Sequence, residues 1–280
     1  AKQLILPVNR ENCLKYGIVP EKYADRIPDE IVLKIKGNYL SKPELFMLDL
    51  LSNYEWDRPI NLLSMGGDIE VGIKEYLLYD GFSYRFVPIK NSMKSASIGL
   101  SDPDDLYRRM TEVYKWDALK RTDWMVDYQN LYTFCGVMSQ RLMFVNAAKE
   151  MLKVGERDKA VQLLDKCMEC VPVENFPLEM SYLGFSNEYM VLELVSLYYF
   201  CEEDEKAREL GYAFSEALID ASVFYSGFYD ICKREFDNVN SYIYSLLDTY
   251  REEGDTEAAA ELEKRFKERL GIYGDDYDND

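Results

Sequence analysis

The 280-residue sequence contains no histidine. That absence removes Ser/His/Asp and Cys/His catalysis and every histidine-ligated metal site, so an enzyme on this chain would have to work with carboxylates, lysine, tyrosine or cysteine. Cysteine is sparse too: Cys13, Cys135, Cys167, Cys170, Cys201 and Cys232 are scattered, without the density of a disulfide scaffold. Cys167 and Cys170 form a C-x-x-C, but it lies inside the helical pattern "AVQLLDKCMECVP" and has no second pair. No zinc or other metal site is expected, and these thiols read as small buried hydrophobes. Long apolar runs are missing as well; none approaches the roughly 18 to 20 residues of a membrane span, and no charged-then-apolar leader opens the chain. Positive charge is in deficit, with 33 Lys and Arg against 51 Asp and Glu, a net charge of -18. Such a field repels phosphate backbones and anionic lipid, so neither nucleic acid nor direct membrane insertion is expected.

What is present is a large core in the making: 48% of residues are hydrophobic, enough for two domains. The sequence begins at Ala1 rather than Met and reads as a piece of a longer or processed polypeptide. Up to about residue 100 the pattern is mixed. "DEIVLKI" (29–35), "PINLLS" (59–64) and "FSYRFVPI" (82–89) read as strands, while Leu45, Leu48 and Leu51 recur at helical spacing after Ser41 and Pro43. Asp102-Pro103-Asp104-Asp105 opens a further helix with a cap and an acidic first turn. The serine-rich stretch 90–102 is the expected junction.

From there on the chain reads as helix. Set on the 34-residue tetratricopeptide pattern from Arg141, the residues Phe144, Ala147, Ala148, Met151, Gly155, Ala160, Leu164, Cys167 and Pro172 fall at its large, small, turn and proline positions. Weaker units begin near Glu188 (Val191, Leu194, Val195, Tyr198, Ala207) and Asn240 (Ile243, Leu246, Leu247, Tyr250, Gly254, Ala259). Irregular spacing between them implies insertions. The expected organisation is α+β: a mixed α/β subdomain (1–100), an irregular tetratricopeptide-like helical domain (101–272) and an acidic tail (273–280). Arrays of this kind form grooves for peptides or other domains, which favours an interaction role over catalysis.

"PINLLSMGGDIEVGIKEYLLYDG" (59–81) reads as a strand, a double-glycine turn and a helix, the order of elements that cradles phosphate. Asp68 and Glu70 would fill the helix mouth with negative charge, so Gly66-Gly67 is read as a turn and Asp68 as an N-cap. The tyrosine clusters "YLLYDGFSYRF", "LYYF" and "FYSGFYD" could stack on sugars, but filling of helix seams is the better reading. Acidic pairs such as Asp104/Asp105 and Glu202/Glu203 are explained by capping and solvation. No catalytic residue and no cofactor is assigned.

Specific strings carry a family resemblance: Gly37-Asn38-Tyr39-Leu40, Leu48-Asp49-Leu50-Leu51, Trp56-Asp57-Arg58-Pro59-Ile60, Gly81-Phe82 and Tyr84-Arg85-Phe86-Val87-Pro88-Ile89-Lys90. Together with the helices after residue 127, they resemble the C-terminal region of the multipass membrane proteins called domain of unknown function family 2723, common in Bacteroidetes. Members of that family look like protein O-mannosyltransferase-type membrane glycosyltransferases. The resemblance implies that this chain is the non-catalytic, periplasmic half. Its partners would be the membrane-embedded half of the same polypeptide and acceptor proteins or peptides. The family's catalytic acidic residue lies in the membrane half and has no counterpart here, and "LLSMGG" departs from the more polar turn of the family. Trp56, Arg58, Tyr84 and Arg85 are the candidate binding residues, as exposed aromatic and arginine anchors; the competing reading pairs Arg58 and Arg85 with nearby carboxylates. Two other functions remain: a free-standing peptide-binding scaffold, and a hydrolase with two carboxylates roughly 5 to 9.5 Å apart.

Overall fold

A computed structural model describes residues 2–35, 39–63, 71–91, 99–121, 123, 138–180 and 187–271. The fold is α+β, with two small sheets in a first unit, Ala1–Val113, and paired helices in a second, Tyr114–Asp280.

The first unit begins with β1 (Lys2–Pro7), antiparallel to β2 (Glu30–Ile35), with Lys2 opposite Ile35 and Pro7 opposite Glu30. Leu6, Ile31 and Leu33 point into the core and Ile5 points out, the alternation of a half-covered ribbon. Between the strands, α1 (Arg10–Lys15) is capped by Asn9. Next, α2 (Lys42–Ser52) starts at a capping box, in which Glu44 accepts from the Ser41 backbone N–H at 2.7 Å and Ser41 Oγ accepts from Glu44 N–H. The second sheet runs in the order β3 (Asn61–Leu62), β5 (Tyr84–Phe86), β4 (Leu77–Tyr79), β6 (Leu100–Ser101). β4 is antiparallel to β5 and parallel to β6. Flanked on both sides, its three residues are all buried, which is why they form an unbroken apolar run.

That run corrects the sequence reading. The helix expected after the glycine pair is instead a 3-10 turn, Ile73–Tyr76, leading into β4. "YLLY" has no period of its own, and pairing on both edges decides for strand. Gly66, Gly67, Asp68 and Glu70 lie outside the described residues, as do Cys135 and the tail 273–280. β4 and β5 are joined by Asp80-Gly81-Phe82-Ser83, with Asp80 N–H donating to the Ser83 carbonyl at 2.9 Å and Gly81 at φ 96.

Asp102 caps α3 (Pro103–Arg108), which continues as a π turn to Val113. This segment belongs to the first unit because Lys22 pairs with Asp102 and the Tyr23 hydroxyl donates to the Ser101 carbonyl at 2.7 Å. Most of the expected junction, residues 92–98, lies outside the described residues.

In the second unit, α4 (Met138–Lys153) pairs with α5 (Arg157–Cys170), α6 (Asn187–Phe200) with α7 (Asp204–Ser226), and α8 (Tyr229–Glu252) with α9 (Thr256–Leu270). One turn is built three times. Its middle residue is left-handed: Gly155 (φ 82), Glu202 (φ 62) and Gly254 (φ 77). The following N–H reaches back to a carbonyl one turn inside the first helix, from Glu156 to Met151, Glu203 to Tyr198 and Asp255 to Tyr250. The carbonyls of Glu156, Glu203 and Asp255 then accept from the N–H groups of Ala160, Ala207 and Ala259, all three of them buried. Alanine there lets the helices approach closely. The positions picked out by spacing are core positions: Phe144, Ala147, Ala148, Met151, Leu164, Cys167, Val191, Leu194, Val195, Ile243 and Leu246 are each at most 1% exposed. α4 also packs on α6, α6 on α8 and α7 on α9, so the pairs stack.

Only Glu202 holds the left-handed position with a Cβ, which costs about 1 kcal/mol. Its one ion pair, with Arg157 at 2.8 Å, is exposed. Glu202→Gly should therefore stabilise the protein by roughly 0.5 kcal/mol in urea denaturation, while Gly254→Ala, where open space leaves only the backbone strain, should cost about 1 kcal/mol.

Asp255 supplies an acid-sensitive lock. Its carboxylate accepts from Tyr199 Oη at 2.8 Å, Arg208 Nε at 2.5 Å and Ala258 N–H at 3.2 Å. Burial opposes its ionisation, but these bonds outweigh burial and hold its pKa below the usual carboxylate range. A depressed folded pKa gives stability that is present above the unfolded value and lost as pH falls through the folded one. Asp255→Asn, which keeps a helix cap, should cost about 2 kcal/mol at neutral pH and flatten the fall in melting temperature below about pH 4.

Candidate binding surface

The four candidate residues do not share a surface. Trp56 is 1% exposed, its ring stacked on Phe86 at 5.3 Å between centroids and beside Tyr54 at 4.7 Å. Its indole N–H donates to the Pro7 carbonyl at 2.8 Å. Its backbone is left-handed, φ 56, a conformation that a bulky residue adopts only when its surroundings hold it there. Arg85 is buried and fully engaged. Nε and one terminal nitrogen grip Asp80 at 2.9 and 2.7 Å, and the other terminal nitrogen donates to the carbonyls of Gly17 and Ile18. Tyr84 is half-buried against Tyr79 at 5.2 Å, and burial pushes its phenol above the ordinary pKa. Arg58 is exposed, 3.6 Å from the Asp57 carboxylate. Trp56 and Arg85 are thus core residues rather than surface anchors, because their polar partners, Pro7 for Trp56 and Asp80, Gly17 and Ile18 for Arg85, lie inside the fold.

What Trp56 does is build a wall. The strained turn Tyr54–Trp56 and the end of α2 stand opposite β1 and leave a cleft of about 580 Å³, lined by Leu4, Pro7, Arg10, Leu51, Tyr54 and Trp56 among others. The Tyr54 hydroxyl donates to the Arg58 carbonyl, and burial raises its pKa. Leu51, Tyr54 and Trp56 form the buried wall, and the cleft presents backbone polar groups and the side chains of Asn9, Arg10, Ser52 and Glu55, with Glu55 the one carboxylate in its lining. A second cavity of about 350 Å³ is lined by Pro20, Lys22, Asp102, Asp104, Asp105 and Arg108. Its charges are satisfied internally: Lys22 pairs with Asp102 and Asp104, and Arg108 with Asp105 at 2.6 Å. Among the described residues, no group of three or more cysteines and carboxylates is placed to hold a metal ion. Burial pushes the Cys13 thiol up to about 11 and the Cys167 thiol up to about 12, so both are protonated and unreactive at neutral pH.

Two features of the second unit carry little sequence signal. Arg141 is wholly buried, donating to Pro177 at 3.0 Å, to Asn187 Oδ1 at 2.7 Å and to Phe176. Burial lowers its pKa to about 10. Glu188 beside it accepts from the Met180 N–H. The pair replaces regular secondary structure in satisfying the carbonyls and amides of the connection after α5, a structural duty. At the turn between α7 and α8, Phe224, Phe228, Tyr229 and Ile231 are 59, 51, 42 and 83% exposed, next to a break in α8 at Cys232. Six apolar residues in the nine of "FYSGFYDIC" hint at this patch, but they read equally well as a helix seam.

Residues 1–105 match the family model TMEM260-associated domain 2, an uncharacterised domain associated with membrane proteins. The first unit is thereby similar to a domain found in association with membrane proteins. No curated protein and no solved structure matches the chain. Among the described residues, no helix is long and apolar enough to cross a membrane.

Removing one partner of a buried ion pair strands the other, so Arg85→Ala should destabilise the protein by about 3 to 5 kcal/mol in chemical denaturation. Arg58→Ala, at the surface, should stay within about 0.5 kcal/mol of the parent.

Proposed function

We propose that this chain is a non-catalytic extracytoplasmic, periplasmic domain of a membrane-embedded glycosyltransferase, which binds or presents an acceptor protein and packs on the membrane half. The observation that carries the reading is the match of residues 1–105 to a domain associated with membrane proteins. The resemblance of the longer strings to family 2723 extends it to sugar transfer. The cleft beside β1 supports polypeptide binding, since it sets backbone polar groups beside the side chains of Arg10 and Glu55, and with Glu55 as the one carboxylate in its lining it lacks the pair a hydrolase needs. The exposed Phe224, Phe228, Tyr229 and Ile231 supply the kind of aromatic patch that packs on another protein surface. A free-standing scaffold that binds peptides between its stacked helix pairs is the second reading, favoured by the repeated turn.

Photo-crosslinking from positions 229 and 231 in native membranes, followed by mass spectrometry, separates the two. Adducts to a multispan glycosyltransferase segment, lost in Phe224→Ser/Phe228→Ser, are expected. Adducts to soluble proteins alone would favour the scaffold.

A further inference from the structure

We propose that the outer edge of β1 is a docking strand, to which an extended segment of another polypeptide adds as a third strand of the β1-β2 sheet. The inference rests on the acceptor-binding part of the proposed function and not on sugar transfer. Its basis is the direction of backbone groups. Val8 N–H donates to the Asp29 carbonyl at 2.8 Å, which fixes the phase of the ladder: Leu6 faces Ile31 and Leu4 faces Leu33 as hydrogen-bonded pairs. The N–H and C=O groups of Gln3 and Ile5, and the C=O of Pro7, then point away from β2. Three contacts agree with this phase. Trp56 Nε1 reaches the Pro7 carbonyl on the outer side of β1. On the outer side of β2, the Tyr76 hydroxyl reaches the Val32 carbonyl at 3.4 Å, and Gly72 lies so close to Lys34 that a Cβ would stand 2.8 Å from its backbone nitrogen.

Among the described residues, the fold therefore covers one edge of this ribbon and leaves the other open. Residues 71–76 close the β2 edge. On the β1 edge, the backbone groups of Gln3 and Ile5 have no hydrogen-bond partner among the described residues, and Ile5 borders the 580 Å³ cleft. Unpaired main-chain donors and acceptors in strand geometry are complementary to another strand, not to a helix or a lipid. The cleft gives room for side chains of the incoming strand beside Ile5, Arg10 and Glu55. Pro7 closes the end of the edge because it has no N–H to offer, and Lys2 places a charge at the start, so pairing is confined to Gln3 and Ile5. The Trp56 to Pro7 hydrogen bond and the packing of the Trp56 ring on Phe86 and Tyr54 hold the left-handed backbone of Trp56, and with it the wall of the cleft, in place.

The test uses a phage-displayed library of random seven-residue peptides, selected on the folded protein, with the best peptide then synthesised and titrated. Binding is expected to slow hydrogen exchange of the Gln3 and Ile5 amides. Ile5→Pro deletes an N–H that the β1-β2 ladder does not use; it should weaken binding about ten-fold or more, whereas Ile5→Thr keeps it. If proline disturbs the fold by circular dichroism, N-methylation of alternate amides in the peptide carries the same test and should produce the same loss. A selected peptide that leaves both amides unprotected, or that tolerates both Ile5→Pro and N-methylation, overturns the proposal. Failure to select any binder overturns it too. Sugar transfer is tested separately by the crosslinking above, so a negative result here leaves that part of the reading standing.

Discussion

The guanidinium of Arg85 is the constraint on which the first unit depends. One planar group ties β5 to Asp80 at the end of β4 and to the carbonyls of Gly17 and Ile18 after α1, and lies 4.0 Å from Asp105 on α3. With strands only two to six residues long, the sheets supply little cooperativity of their own. A buried bidentate ion pair with two further carbonyl acceptors leaves few alternative arrangements of these pieces. The aromatic stack of Tyr54, Trp56 and Phe86 then fills the space above β5, and the Trp56 to Pro7 hydrogen bond carries the same order out to β1.

The second unit reaches order by a different route, through repetition of one local device. A left-handed residue, a backward hydrogen bond and a buried alanine recur at each of the three helix-pair turns. Each turn sets only the two helices it joins, so stability accumulates by stacking neighbours. The polar core of Arg141, Asn187 and Glu188 stands where this regularity fails, between the first and second pairs. A buried cation there replaces the missing ladder.

Much of this was legible residue by residue. Ser41 ahead of Pro43 and Asp102 before Pro103 are short-range codes, and each produced the cap expected of it. The helical periodicity from Phe144 to Leu247 also marked the core, since a 3.6-residue period is a property of one segment alone. The candidate site was less legible. Trp56, Arg58, Tyr84 and Arg85 were grouped as anchors by residue type, yet type does not say which side of the chain a neighbour will cover. β1 was not anticipated, because "KQLILP" lacks a clean alternation.

The sequence by itself determined the class of each half, the caps of the helices that begin at Lys42 and Pro103, and the acidic, histidine-free composition. Only the tertiary structure decided that Arg85 and Trp56 are internal, that Leu77–Tyr79 is a strand between two others, and that β1 has one edge open beside a cleft among the described residues. The reason is range. Caps, turns and periodicity are settled within a few residues, whereas burial and edge exposure depend on contacts between segments as far apart as Gly17 and Arg85 or Pro7 and Trp56.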